Sequence, residues 1–366
     1  MKVNTISLNS VRLNTIALNH IGEIRSGGGG SKPSPIHQWI REHVVFYYDV
    51  KKQGATNETL KESAYLQDLS GKGRRMKLNN FLFAEMSGVG GYNDNFSNWK
   101  TDSNNGVVKI ESDSSIVMQS VKIEYRGILY QDSSKNATLK CNITGITEEL
   151  KGKLIFRYTD AEGSKNITLE NGYFEFNSSE YEGLSGWYGF TSKQPIDNCN
   201  ITITQIPEYP GALVTDGVDD YGLVENLSSG VKMLFMTVNP IGSLNAYKTY
   251  YAQSGLNKPF WVSASINLIA YNNNNPNGIT YIDGVLNESV KPENLFNIKH
   301  IITIVNGTVN SANSKQPVFF SNEHYSGYFP KLAFYNSIAF DSIPTEADGF
   351  TEQELIDYVL TNIIGQ

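Results

Sequence analysis

With only two cysteines in 366 residues, the chain cannot be held together by disulfides. Charged residues are sparse, at 18%, and the basic ones are outnumbered, 30 against 37. The resulting net charge of −7 argues against a nucleic-acid partner, whose footprint is basic. No apolar run approaches the ~20 residues of a membrane span, so no membrane insertion is expected. The opening MKVNTISLNSVRLN lacks the apolar core of a secretory signal. Five histidines (His20, His37, His43, His300 and His324) are scattered, none at zinc-site spacing. There is no G-x-S-x-G elbow, and Gly88-Val89-Gly90-Gly91 lacks the Lys-Ser/Thr of a phosphate loop.

What fills the chain instead is 38 Asn, 32 Gly, 21 Tyr and 17 Phe. Asn and Gly favour turns, and Tyr and Phe favour strands. The expected class is all-β and rich in loops, with length for two or three domains.

Residues 3–21 repeat with period five, as [IV]-x-L-N-x. Ile6, Val11, Ile16 and Ile21 share one position, and Leu8, Leu13 and Leu18 another. On a helix each step turns about 140° beyond a full turn, which scatters the set. On a flat strand an odd step moves it to the other face. A chain bending once per unit keeps both positions inward, yet four pentads make only about one coil, and coils need stacked neighbours. Residues 1–25 are therefore read as an anchor that docks on a partner or intertwines with its own copies. A disordered tail is the alternative, although disorder does not require strict periodicity. Residues 26–35, SGGGGSKPSP, form a Gly/Ser/Pro linker.

Ser34-Pro35 reads as a helix start, through about Glu42, and VVFYYDV at 44–50 as a buried strand. Asp283-Gly284 between Ile279–Ile282 and Val285–Asn287 predicts a hairpin. Thr351–Glu354 is a capping box, followed by Leu355, Ile356, Val359, Leu360 and Ile363 at helical spacing. Between residues 84 and 205, strands are expected over Gly106–Ser112, Ile116–Tyr130, Ala137–Ile143, Lys153–Tyr158, Ile167–Phe176 and Ile201–Ile206.

Four of these pieces carry a family likeness. DLSGKG (68–73) resembles the D-x-S-G-N-G opening of concanavalin-A-like, LamG-type jelly rolls, and ALVTDGVDDYG (212–222) resembles their second strand. YIDGVLN (281–287) and KLAFYNSIAF with TEQELIDYV resemble their later hairpin and their closing strand and helix. The likeness implies a discontinuous sandwich, residues 36–83 and 206–366, with residues 84–205 inserted as a second β-sandwich.

Asp216, Asp219 and Asp220 form the one dense acidic cluster and are the candidate calcium ligands. The alternative is that Asp216-Gly217 is a tight turn and Asp219 caps a strand end. Glycan-binding candidates, aromatic platforms beside amides, are Tyr92 and Trp99, Trp187 and Tyr188, and Tyr271 with Asn273 in the YNNNNPN loop. Each is weighed against a packed core aromatic or a solvated loop. Hydrolysis is argued against: the nearest match to the E-x-D-x-x-E strand of glucanases is Glu111-Ser112-Asp113-Ser114-Ser115-Ile116, which lacks the third carboxylate. Cys141 and Cys199 both open a Cys-Asn-Ile-Thr strand and are either bridged or free.

As a whole, the LN-x-I-x-LN-x-IG opening and YPGALVTDGVDDYG resemble virion appendage proteins of tailed gut phages, including the crAss-like group. The resemblance implies a non-enzymatic head or tail fibre component on the virion surface. Its N-terminal repeat would hold capsid or tail proteins, its sandwiches would adhere to host surface glycan, and copies would assemble as a homo-oligomer, a trimer being the first expectation. Alternatives are a purely structural virion part or a bacterial surface glycan-binding protein.

Overall fold

The computed structural model describes residues 34–135, 137–227, 230–242, 248–253, 260–264, 269–270, 278–286, 295–306, 318–321 and 329–365. The pentad positions Ile6, Leu8, Val11, Leu13, Ile16, Leu18 and Ile21 lie outside these residues, as do Tyr271 and Asn273. The described chain is mostly β, in antiparallel sheets, with three short α-helices. It forms two compact units: the first runs to Phe83, takes in Ser87–Val89 and resumes at Gly211, and the second holds Ala84–Met86 and Gly90–Pro210.

The first unit opens with α1 (Pro35–His43), whose N-cap Ser34 accepts from the His37 N–H. β1 (Val44–Asp49) follows at once. α2 (Asn57–Ser63) has no apolar periodicity to announce it; a reciprocal capping box between Thr56 and Thr59 sets its start. β2 (Tyr65–Leu66) and β3 (Met76–Asn79) flank the DLSGKG turn. Gly71 and Gly73 take positive φ there, and Asp68 is the hub. Its buried carboxylate accepts from the backbone N–H groups of Tyr47, Ser70 and Arg74 at 2.9–3.0 Å, and from Ser70 Oγ. Replacing Asp68 by alanine strands several donors at once and is expected to destabilise the unit by about 3 kcal/mol in urea melts. β4 (Gly88–Val89) belongs to this unit because it pairs with Leu213–Val214.

The second unit holds ten strands: β5 (Lys100–Thr101), β6 (Gly106–Ser112), β7 (Ser115–Val121), β8 (Leu129–Asp132), β9 (Thr138–Thr144), β10 (Leu154–Asp160), β11 (Gly163–Thr168), β12 (Gly172–Asn177), β13 (Trp187–Ser192) and β14 (Ile201–Gln205). They form two five-stranded sheets, β11-β10-β13-β8-β5 and β12-β9-β14-β7-β6. Both contribute to one core, with Phe156, Tyr188 and Phe190 from one and Met118, Leu139 and Phe176 from the other. Two expected single strands are in fact pairs. The run Ile116–Tyr130 breaks after Val121, where Lys122–Arg126 is exposed and Tyr125 takes positive φ. The run Ile167–Phe176 breaks before Gly172, also at positive φ, and its halves join different sheets.

The chain returns to the first unit with β15 (Leu213–Asp216), β16 (Tyr221–Val224), β17 (Met233–Pro240), β18 (Lys248–Gln253), β19 (Phe260–Ala264), β20 (Ile269–Ala270), β21 (Gly278–Ile282), β22 (Val285–Leu286), β23 (His300–Asn306), β24 (Val318–Phe319), β25 (Lys331–Phe340) and α3 (Glu352–Val359). The expected hairpin turn is present, with Asp283 at φ 52° and Gly284 at φ 81°. An eight-stranded sheet, β22-β21-β23-β17-β25-β15-β4 with β1 on β25, shares a core with a seven-stranded sheet, β2-β3-β16-β24-β18-β19-β20. The other face of the larger sheet is covered by α1 and α3, where Trp39 and Ile40 meet Phe235, Phe340, Leu355 and Ile356. Coverage on both faces explains why all six residues of β1 are buried and do not alternate. α3 starts at the expected capping box, Thr351 with Glu354. Thr351→Ala is expected to cost about 1 kcal/mol, read as a lower Tm.

Candidate functional site

The acidic cluster lies between β15 and β16. Asp216 Oδ1 accepts from the Val218 N–H at 2.7 Å, closing a turn that Gly217 completes at φ 81°. Asp220 is fully buried. Its Oδ2 accepts from the Asp216 N–H at 2.9 Å and its Oδ1 from Ser87 Oγ at 3.0 Å. The Asp219 carbonyl accepts from Asn80 Nδ2. Burial, aided by Asp216 and Asp219, pushes the Asp220 carboxyl up to about 7. Carboxylate oxygens of all three lie within 4.8 Å of one another, the one such trio among the described residues. These are the residues that could hold a divalent cation. Calcium takes 6–8 oxygens, so three or more would have to come from elsewhere. The turn bonds account for Asp216 and Asp220 without an ion.

The aromatic candidates separate sharply. Trp99 and Tyr188 are core residues, at 4% and 0% exposure, and offer no face to a sugar. Trp99 stacks on Phe190 and its Nε1 donates to Asp94 Oδ1 at 2.9 Å. The Tyr188 hydroxyl donates to the Lys135 carbonyl at 2.9 Å. The strand period decides this: Tyr188 and Phe190 point inward along β13, which puts Trp187 and Gly189 on the outer face. Tyr92 is half-buried, with its N–H on the Glu85 carbonyl and its ring near Gly90.

Trp187 is half-buried and packs edge-to-face with Tyr130, ring centroids 5.7 Å apart. Tyr130 was not a candidate, because the run containing it reads as one long strand with no obvious facing. Gly127 lets the two rings settle. A Cβ there would come within 2.9 Å of Tyr130 Cδ1 and 3.1 Å of Trp187 Cζ3. Gly127→Ala should therefore displace both rings, seen as a change in Trp fluorescence with little change in far-UV CD.

The described histidines go to separate partners. His37 bonds the Tyr358 hydroxyl, His43 lies 3.0 Å from Asp341, and His300 lies 2.7 Å from Asp283. Burial, with Arg41 nearby, lowers the His37 pKa. Glu111 pairs with Lys109, and Asp113 accepts from Ser97 at the β6–β7 hairpin. Cys141 and Cys199 are both buried and free. No helix among the described residues is long and apolar enough to cross a membrane. No known protein family, curated protein or solved structure matches the chain.

Proposed function

We propose that this protein is a non-enzymatic virion component of a tailed phage, a head or tail fibre held to the particle by its N-terminal repeat. Its two β units are displayed to bind host surface glycan. The observation that carries the reading is the layout: a period-five segment and a glycine tether precede two units, each with its own core. Within the first unit we propose a concanavalin-A-like jelly roll. Its support is that two large antiparallel sheets share one core, and that the four family-like pieces fall at a turn, two consecutive strands with one in each sheet, a hairpin and the closing strand and helix. The Asp216, Asp219 and Asp220 trio is its candidate calcium site.

Mass spectrometry and immunogold labelling of purified particles test the placement, and a glycan array of the full chain tests the adhesion. Absence from particles overturns the first, and an empty array overturns the second. For the anchor, Leu8→Asp with Leu13→Asp is expected to abolish self-association or particle incorporation, measured by light scattering and by yield on particles.

A further inference from the structure

We propose that the outer face of the β11-β10-β13-β8-β5 sheet binds a uronate-containing glycan, with Trp187 and Tyr130 against the sugar face and Arg157 on its carboxylate. This rests on the glycan-adhesion reading and gives it a site and a ligand class.

The register places the parts. Arg157 pairs with Asn166 on one side and Gly189 on the other. Gly189 pairs with Tyr130, and Tyr130 with Lys100. Cross-strand partners share a face, so Asn166, Arg157, Gly189, Tyr130 and Lys100 form one row across the outer surface. Strands lie about 4.8 Å apart, which puts Arg157 and Tyr130 about 10 Å apart with only a glycine between them. Gly189 has no room for a side chain: a Cβ would come 2.3 Å from the Leu129 carbonyl oxygen. Gly189 is itself buried, so the row has an aromatic side and a cationic side with closely packed backbone between them.

Each side is built. The aromatic side is the Tyr130–Trp187 pair resting against Gly127. An aromatic ring carries a negative face, which suits the weakly positive C–H groups on one side of a pyranose. On the cationic side, the Arg157 guanidinium lies 5.2 Å above the Tyr125 ring, and its Nη1 donates to Asn166 Oδ1 at 3.3 Å. Asn166 takes one of five N–H donors, and the planar fork matches a carboxylate. Lys193 reaches the same face, with Nζ 3.4 Å from Thr168 Oγ1. The acidic group beside Tyr130, Asp132, is engaged by Lys100 at 2.7 Å. In a chain of net charge −7, this leaves a local cationic patch. A nucleic acid would need a run of cations along its backbone, which this row does not supply.

The test is affinity electrophoresis of the full chain in gels containing polygalacturonate, hyaluronate or alginate, with fully methyl-esterified polygalacturonate as the neutral counterpart. At least one uronate should retard the protein, and esterification should weaken polygalacturonate binding at least tenfold if that is the polymer bound. Trp187→Ala and Arg157→Gln should each weaken uronate binding at least tenfold. Trp187→Leu, which keeps bulk but loses the ring face, should do the same if the alanine variant folds poorly. Tyr173→Ala, at a 63% exposed tyrosine on the other sheet, should leave binding unchanged. No retardation by any of the three uronates overturns the proposal. So does uronate binding that survives the Trp187 and Arg157 variants, or preference for a nucleic acid or protein. Array binding to neutral glycans alone would keep the adhesion reading and remove this site; an empty array would remove both.

Discussion

Phe156→Ala is expected to destabilise the second unit by about 3–5 kcal/mol, the range for emptying a large aromatic site. Phe156 sits on β10 with no exposed surface. Its ring centroid lies 4.6 Å from Phe176 and 5.2 Å from Phe174 in the facing sheet, and 5.1 Å from Phe190 in its own. It is thus a central one of the rings through which the two sheets meet, and neighbours of that size cannot collapse fully into the gap. Calorimetry should show the second unit's transition moving down while that of the first unit survives on its own core. A single merged transition would show instead that the two units unfold together. Phe156→Leu, which keeps most of the volume, should cost much less.

Raising pH from 5 to 8 is expected to weaken the first unit, and Asp220 is the reason. Its folded pKa of about 7 lies above the ordinary carboxylate value of 3.8. The stability linked to this group is fully present below about pH 4 and is lost as pH rises through about 7. From pH 5 to about 7 the loss runs at about 1.4 kcal/mol per pH unit, about 3 kcal/mol in all. Burial also raises Asp49, in the same sense. Asp348 and Glu354 act in the opposite sense: hydrogen bonds in their capping boxes lower them, so their contribution is lost in acid. Within pH 5 to 8 the raised Asp49 adds to the fall and the lowered His37 opposes it, so the comparison with Asp220→Asn isolates the Asp220 share. In urea melts Asp220→Asn should flatten the slope and be more stable than the parent at pH 8. A slope that Asp220→Asn leaves unchanged would overturn this account. Calcium gives a second readout. If the trio holds the ion, millimolar calcium should lower the Asp220 pKa, raise Tm at pH 8 and erase the slope. If Tm does not move, the three aspartates are a turn.

Local chemistry was the legible part of this fold. Ser34-Pro35, Asp283-Gly284 and the Thr351–Glu354 box each fix a backbone conformation through their own side chains, and each appears where its residues stand. Facing was much less legible. β13 is a hydrophobic alternation, but nothing in WYGFTS says which of Trp187 and Tyr188 points inward. The core on the far side decides that. Trp99 misled for a similar reason: it stands among Asn and Asp residues yet is buried, because Asp94 satisfies its N–H. Tyr130 was hidden by the run before it, and Arg157 by the absence of any motif. Their relation to Trp187 exists only in the sheet register.

The main body of the second unit, Gly90–Pro210, interrupts the first, which gives that body two covalent connections rather than one. The segments near those connections are themselves paired: the Glu208 and Tyr209 N–H groups donate to the Gly91 and Gly90 carbonyls at 2.9 and 2.8 Å. A protease that cuts one connection would therefore leave this module attached, and release requires two cuts. A ligand pulling on it would likewise be resisted by two lengths of chain in parallel.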